Sequence, residues 1–469
     1  MQPTTFDNLI QAIDGRAVRL SADSVFTRIQ TDSRNVKPGD LFWPLRGHRF
    51  DGHQFVDEAF ENGAIASLVS HEHASHAREQ LNIVTVPDTT RALQAFAHWH
   101  RSRWGGPVIG VTGSCGKTTT RETIYSVLST KLQGCQNYSN NNNHFGVPFT
   151  LLDIQPDHQF AVVECGASGF GEMHELVTCC RPDIGIITGV SNAHLDGFQN
   201  LQGVYAEKTK MVRMLSSDGL AILPGDNRKL RELAQELPCR TILVGEGPAN
   251  DVRIQDVRLV NGQVQFELDR DIFEIPLAGK HHAHAGAIAV ALGREFGLGV
   301  PEIKGGLQRI RPIPGRCQVT HVGSWTIIND TYNANPTSTQ AACQLLRDYN
   351  APFPARKHLV LGNMLELGGR SVALHQKLGR QIAVSEIDEL YTLGSDAENI
   401  IAGAVEEGFP STQTIASNTL MELCEQLVSN LHHGDVVLIK GSRGMRMERV
   451  IDYLRDQART LPTNLARAA

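Results

Sequence analysis

Short apolar runs recur along the chain, separated by stretches in which apolar residues return every three or four positions, and this alternation predicts strands followed by helices. The clearest example runs from the apolar segment 108–111 through a glycine-rich turn into a stretch where Ile124, Val127 and Leu128 share one helical face. Segment 160–164 reads as a buried strand that ends in the carboxylate of Glu164, and 183–190 repeats the arrangement before a loop with His194, Leu195 and Asp196. Segment 252–277 reads as hairpin strands around Asn261-Gly262, a small antiparallel patch appended to the main sheet. Further on, apolar strands at 325–328, 358–361, 389–393 and 435–439 alternate with helices, as in a doubly wound sheet. Ahead of Gly105-Gly106-Pro107 the pattern is a mixture of short strands and helices. The expected fold is α/β in three domains: a mixed α/β N-terminal domain (1–104), a central P-loop ATPase-type parallel sheet with its antiparallel patch (105–314), and a Rossmann-like doubly wound C-terminal domain (315–469).

Composition narrows the function without choosing it. A chain of 469 residues with 41% hydrophobic positions can fill several cores. No stretch reaches the roughly 18 apolar residues a membrane helix needs, and the N-terminus lacks a basic region followed by an apolar run, so a cytoplasmic protein without membrane insertion is expected. Nine cysteines without C-x-x-C pairing fit free thiols in a reducing compartment, and Cys115 is given no catalytic role. A net charge of −6 offers no case for nucleic acid, which leaves small molecules as the expected partners.

The turn after the first strong strand reads T-G-S-x-G-K-T, with Gly113, Ser114, Gly116, Lys117, Thr118 and Thr119 in sequence. Glycines allow backbone N–H groups to face anionic oxygens, the following helix points its positive end at them, and Lys117 adds an ammonium. Thr118 is placed to give its hydroxyl to magnesium. Val111 occupies the first glycine position of the general phosphate-loop pattern, so the shorter pattern carries the reading. Nucleotide triphosphate binding follows. Glu164 is either a magnesium ligand or an ordinary strand-end acid. Ser33 and Arg34 form either a grip for a phosphate or pyrimidine edge or a solvated turn. The asparagine run that includes Asn140, Asn142 and Asn143 is a polar loop able to bind a sugar, base or peptide. The cluster of His71, Glu72, His73 and His76 is expected on an exposed helix that continues through 77–80, and His281, His282 and His284 do not all share a helix face, so neither is read as a metal site.

These segments resemble the Mur ligases, ATP-dependent amide-forming enzymes of peptidoglycan synthesis. The resemblance spans nearly the whole chain: T-D-S-R and D-G-H, the phosphate loop, N-N-x-x-G-V-P, H-L-D, P-G-R at Pro314 to Arg316, D-T-Y-N-A-N-P from Asp330, G-N-M-L-E-L-G from Gly362, and K-G-S-R from Lys440. Within the family it is nearest to the member that adds D-alanyl-D-alanine to UDP-N-acetylmuramoyl-tripeptide. D-T-Y-N-A-N-P and K-G-S-R set it apart from the sister ligase that adds the diamino acid. The resemblance implies ATP and two magnesium ions as cofactors, and a monomer. By the same resemblance Thr118 and Glu164 hold the first magnesium, His194 helps to hold the second, and Lys208 carries a carbamate. Arg316 and Asp330 reach the nucleotide from the third domain. Asn333, Asn335 and segment 363–368 line the same cleft, the Ser33-Arg34 region takes the UDP end, and Asn140, Asn142 and Asn143 lie near substrate or nucleotide. Two departures stand out: Gly279-Lys280-His281-His282-Ala283-His284-Ala285 puts His282 and Ala285 where the family has asparagines that read adenine, and Asn363 replaces an aspartate. They leave room for a nucleotide-binding homologue without ligase activity, or a sister ligase that adds a different amino acid.

Overall fold

The computed structural model describes residues 1, 3–18, 20, 24–47, 50–76, 81–350 and 354–460. The stretch 77–80, expected on an exposed helix, and the tail 461–469, expected to be loose, lie outside the described residues.

The N-terminal part is built on a five-stranded mixed sheet in the spatial order Arg16–Val18, Ile83–Val86, Ala66–Ser70, Leu41–Phe42, Ile29–Gln30. Helices Phe6–Ile13 and Thr89–Arg103 close over it through a buried aromatic group of Phe6, Phe26, Trp43 and Phe96. Trp43 is wholly buried, and its indole N–H donates to the carbonyl of Thr89 at 2.8 Å, so the polar end of this large ring is satisfied.

Seven parallel strands form the central sheet, with Val108–Thr112 held between Ile184–Ile187 and Phe160–Glu164. All three are buried along their whole length, as expected of parallel strands covered on both faces, and this explains their unbroken apolar runs. The register sets Glu164 beside Val111 and Ile187 beside Thr112, so three strand ends come level at one edge of the sheet. That edge is where ligands collect in open α/β sheets. Helix Lys117–Leu128 buries Ile124, Val127 and Leu128 completely, the face anticipated from spacing. The antiparallel patch is a sheet of its own, with Gln255–Val260, Gln263–Leu268 and Asp271–Ile275. Asn261 and Gly262 turn its first hairpin with φ of 51° and 76°, the positive pair a two-residue turn requires.

The C-terminal part has six strands where four were expected. Trp325–Asp330, Val436–Lys440, Lys357–Gly362 and Glu389–Leu393 match the expectation. Gln318–Val322, an antiparallel edge strand, and Thr414–Ser417, at the other edge, are short and half polar and left no apolar run to read. The neighbouring strands Trp325–Asp330 and Val436–Lys440 end with Asp330 directly beside Lys440. All nine cysteines are free thiols, and among the described residues no helix is long and apolar enough to cross a membrane.

Candidate functional site

The phosphate loop is shaped by two glycines. Gly113 has φ of 151° and Gly116, at the start of helix Lys117–Leu128, has φ of 77°. A Cβ on Gly113 would lie 2.0 Å from Thr188 Oγ1, so no other residue fits there without moving the neighbouring strand end. Thr188 Oγ1 also donates to the Cys115 carbonyl at 2.5 Å, which ties the loop to the strand Ile184–Ile187. Lys117 folds back to donate from Nζ to the Gly113 carbonyl at 2.9 Å. Burial pushes its pKa down while the Glu164 carboxylate opposes the fall. The result is a helix N-terminus with an ammonium beside it, a site for anionic oxygens.

Glu164 is almost wholly buried. Its Oε1 accepts from Asn142 Nδ2 at 2.7 Å, its backbone N–H donates to Asn137 Oδ1 at 2.5 Å, and Arg121 stands 3.5 Å from Oε2. Oε2 takes no hydrogen bond, which leaves a buried carboxylate oxygen with acceptor capacity to spare. Lys208 is fully buried and donates from Nζ to the carbonyl of Ala167 at 3.1 Å. Its neighbour Glu207 is committed to Lys210 and to the N–H of Met173, so no paired acid holds the Lys208 proton. Burial, with Lys117 adding to it, brings its pKa down to about 7. His194 sits in the left-handed region at φ 53° and its Nδ1 bonds the Glu366 carboxylate, which the contact holds below its ordinary pKa. The Asp196 N–H donates to the Glu366 carbonyl at 3.2 Å, so the H-L-D loop and the C-terminal part are fastened twice.

The C-terminal part reaches over the loop at several further points. Arg316 donates to Thr118 Oγ1 at 2.8 Å and lies over the Tyr332 ring at 4.0 Å from its centroid. Lys440 donates to Asp330 Oδ2 at 2.6 Å and to the Asn333 carbonyl at 2.9 Å. Asn335 caps helix Pro336–Asp348 with its oxygen and extends Nδ2 toward the Ser114 carbonyl at 3.4 Å. Together these surfaces enclose a cavity of about 1040 Å³.

Most residues singled out from the sequence line that cavity: Ser114, Gly116, Lys117, Thr118, Thr119, Asn142, Asn143, Glu164, His194, Arg316, Asp330, Asn333 and Asn335. Gly113 lies under the loop, and Lys208 sits behind the wall, bonded to the lining residue Ala167. Asn140, Ser33 and Arg34 are outside it. Asn140 accepts from Ser139, Ser33 donates to Glu58 at 2.9 Å, and the exposed Arg34 pairs with Asp32. Sequence reasoning gave no site role to Arg46, Gly47, Glu172 and Cys317, which also line the cavity. Arg46 and Gly47 come from the N-terminal part just before D-G-H, and nothing in their spacing marks them. His281, His282, His284 and Ala285 line the cavity as well. Gly279, at φ 113°, makes room there, since a Cβ on it would stand 2.5 Å from His281 Cε1.

Three family models match the chain in succession: the Mur ligase family catalytic domain over residues 25–101, the Mur ligase middle domain over 111–293, and the Mur ligase glutamate ligase domain over 315–443. The UDP-N-acetylmuramoyl-tripeptide–D-alanyl-D-alanine ligase of Bacillus subtilis is 33% identical, with 96% of this chain and 98% of that protein covered. A crystal structure of MurF from Acinetobacter baumannii superposes with a TM-score of 0.88 at 30% identity, covering 97% of this chain and 99% of its own. MurF from Thermotoga maritima in complex with ADP gives 0.81 at 28% identity, covering 93% and 98%. A full-length match in sequence, in fold and in the order of three domain models leads to one conclusion: the chain belongs to the Mur ligase family.

Proposed function

We propose that this protein is an ATP-dependent ligase that joins D-alanyl-D-alanine to UDP-N-acetylmuramoyl-tripeptide, a cytoplasmic step of peptidoglycan precursor synthesis. One observation carries the reading: a single cavity brings the phosphate loop and Glu164 of the central part together with Arg316, Asp330 and Lys440 of the C-terminal part. That is the arrangement needed to bring two anions, a triphosphate and a carboxylate, to one place. The relatives that match along their full length are named for this reaction, and one neighbour is a complex with ADP.

In the proposed reaction a terminal carboxylate oxygen of the tripeptide attacks the γ-phosphorus of ATP and ADP leaves. The amine of D-alanyl-D-alanine then attacks the acyl phosphate carbonyl, inorganic phosphate departs and the amine proton is lost. Lys117 and the N–H groups of the loop stabilise the charge that builds on the transferring phosphoryl oxygens. Arg316, held over the Tyr332 ring, orients the loop from above through Thr118. The pair of Lys440 and Asp330 keeps an ammonium inside the cavity without a net buried charge, and removing either partner of such a pair costs about 3–5 kcal/mol. Closure of the C-terminal part excludes water, which would otherwise hydrolyse the acyl phosphate.

The residues present suit magnesium. The spare Oε2 of Glu164 and the Thr118 hydroxyl would hold one ion through hard oxygen donors, and the His194 imidazole would help to hold a second. Bound there, magnesium neutralises phosphate charge. Lys208 suits carbamylation, because burial lowers its pKa to about 7, so that a substantial share of the amine is uncharged near neutral pH and its lone pair can add carbon dioxide with loss of one proton. The carbamate would supply an anionic oxygen where an ammonium would repel the metal. For the UDP end we assign the Ser33-Arg34 turn, where a diphosphate would take the place of Asp32 on the exposed Arg34 fork.

Phosphate release from ATP tests the assignment. It should require both UDP-N-acetylmuramoyl-tripeptide and D-alanyl-D-alanine, and the UDP product should gain one dipeptide by mass. Release with a different amino acid acceptor would make this a sister ligase. ATP binding without turnover on any acceptor would make it a homologue that has lost ligation, a reading prompted by the altered segment at His282 and Ala285.

A further inference from the structure

One part of the cavity wall holds donors that the ligation chemistry leaves unused. His281 and His282 open the helix His282–Glu295, and Cys317 arrives from the C-terminal part. Cys317 Sγ stands 3.9 Å from His281 Nε2, and one donor atom from each of His281, His282 and Cys317 lies within 4.8 Å of the others. Cys317 is fixed in this position: its backbone is left-handed at φ 50°, and its N–H donates to Asp330 Oδ1 at 3.1 Å. His282 is only 6% exposed, and its Nε2 has no hydrogen-bond partner. A buried imidazole nitrogen without a partner is a standing cost to the fold.

We propose that His281, His282 and Cys317 form a binding site for a thiol-seeking divalent cation, with Zn²⁺ as the reference ion, that pins the C-terminal domain to the central one in the wall of the nucleotide cavity. Two imidazoles and a thiolate are the donors a tetrahedral zinc takes, with water in the fourth position. Zn–N and Zn–S lengths of about 2.0 and 2.3 Å around a tetrahedral centre put nitrogen and sulfur about 3.5 Å apart, so the 3.9 Å His281–Cys317 pair needs to close by only a few tenths of an ångström. Burial keeps the His282 imidazole neutral, with a lone pair to give. The Cys317 thiol would release its proton to solvent as the sulfur–metal bond forms. Lys440, whose positive charge reaches Cys317, is paired with Asp330. The site differs in kind from the phosphate loop, where Thr118 and Glu164 present hard oxygens. A second group, Asp51, His53 and His73, lacks this character: His53 is bonded to Asp51 at 2.6 Å and to the Ser70 N–H at 3.1 Å, and His73 to the Ser70 hydroxyl at 2.7 Å.

The test is a titration of the metal-free full-length protein with Co²⁺ in excess Mg²⁺, followed by absorption. One equivalent should bind with a sulfur-to-cobalt charge-transfer band and intense tetrahedral visible bands, and Zn²⁺ should displace it. Cys317→Ser should abolish the charge-transfer band, and His282→Asn should weaken binding by about tenfold or more. Each variant is first checked for the wild-type far-UV circular dichroism; if one does not fold, the other decides. Binding of a fluorescent ADP as its magnesium complex should weaken once Zn²⁺ is bound. Absence of the charge-transfer band in the wild type, its survival in Cys317→Ser, or nucleotide affinity indifferent to Zn²⁺ would each overturn the proposal. None of these readouts depends on ligation, so they stand apart from the ligase assignment.

Discussion

Two parts of the cavity wall follow different rules. In the phosphate-binding part the loop is fixed by positive-φ glycines, by Thr188 beneath it and by Arg316 above it, and its sequence keeps the family pattern T-G-S-x-G-K-T. In the other part of the wall, His282 and Ala285 stand where the resemblance leads one to expect asparagines, and an unpartnered imidazole nitrogen sits beside a thiol. The difference follows from what each part must do. Charge has to be stabilised at fixed points in the transition state, so displacing one donor costs orders of magnitude in rate. A base needs only a flat space and one or two hydrogen bonds, each worth about 0.5–1.5 kcal/mol, so that part tolerates exchange and can acquire other chemistry.

The sharpest way to break the contrast is in the phosphate-binding part. Lys117→Ala should lower kcat/KM about 10³-fold while circular dichroism stays unchanged, since in the proposed reaction its ammonium, held on the Gly113 carbonyl, stabilises the transferring phosphoryl group. A loss of less than about tenfold would mean that charge is stabilised elsewhere. Lys208→Met should cost about 10²-fold, the scale of a lost metal-site donor. The wild type should lose activity in buffer freed of carbon dioxide and regain it with bicarbonate. The pH dependence has a definite sign: the Lys208 pKa is lowered to about 7, so its amine is protonated and unreactive below that value. Carbamylation, read by mass spectrometry after trapping, should therefore rise as pH increases through 7 and disappear as it falls.

In the other part of the wall the effects should be smaller. Restoring the family amides with His282→Asn and Ala285→Asn should lower KM for ATP by about two- to tenfold and sharpen discrimination against GTP, with kcat little changed. An unchanged ATP to GTP ratio would show that the base is read by other groups. Smallest of all, Glu366→Gln removes one charge from the half-exposed clasp on His194 and should cost about two- to fivefold in kcat/KM. That loss should shrink at high salt, as expected for an exposed ion pair.

Much of this could be read from the chain because strong local signals mark it. Buried parallel strands leave continuous apolar runs, and the loop's glycines and lysine are spaced by the geometry of a helix start. The edge strands Gln318–Val322 and Thr414–Ser417 carry no such run, since each is half exposed and held by a single neighbour. The site shows the same division. Glu164 announces itself at the end of an apolar strand, whereas the clasp between His194 and Glu366 joins residues far apart in the chain that only the packing of two domains brings together. Cys317 illustrates the limit best. Grouped by sequence, His281, His282 and His284 point in different directions on a helix and suggest no common ligand; the third donor comes from a later segment, and His284 is not part of the group. The place of Arg46 and Gly47 in the cavity wall, reached from the N-terminal part, was hidden for the same reason.

The most direct test of the central claim follows oxygen. If the cavity joins a tripeptide carboxylate to the γ-phosphoryl group before the amine attacks, tripeptide labelled with ¹⁸O in its terminal carboxylate should pass one labelled oxygen to the inorganic phosphate released with each amide bond formed. Phosphate that carries oxygen from water alone, with the label retained in the peptide, would contradict an acyl phosphate and with it the proposed role of the phosphate loop.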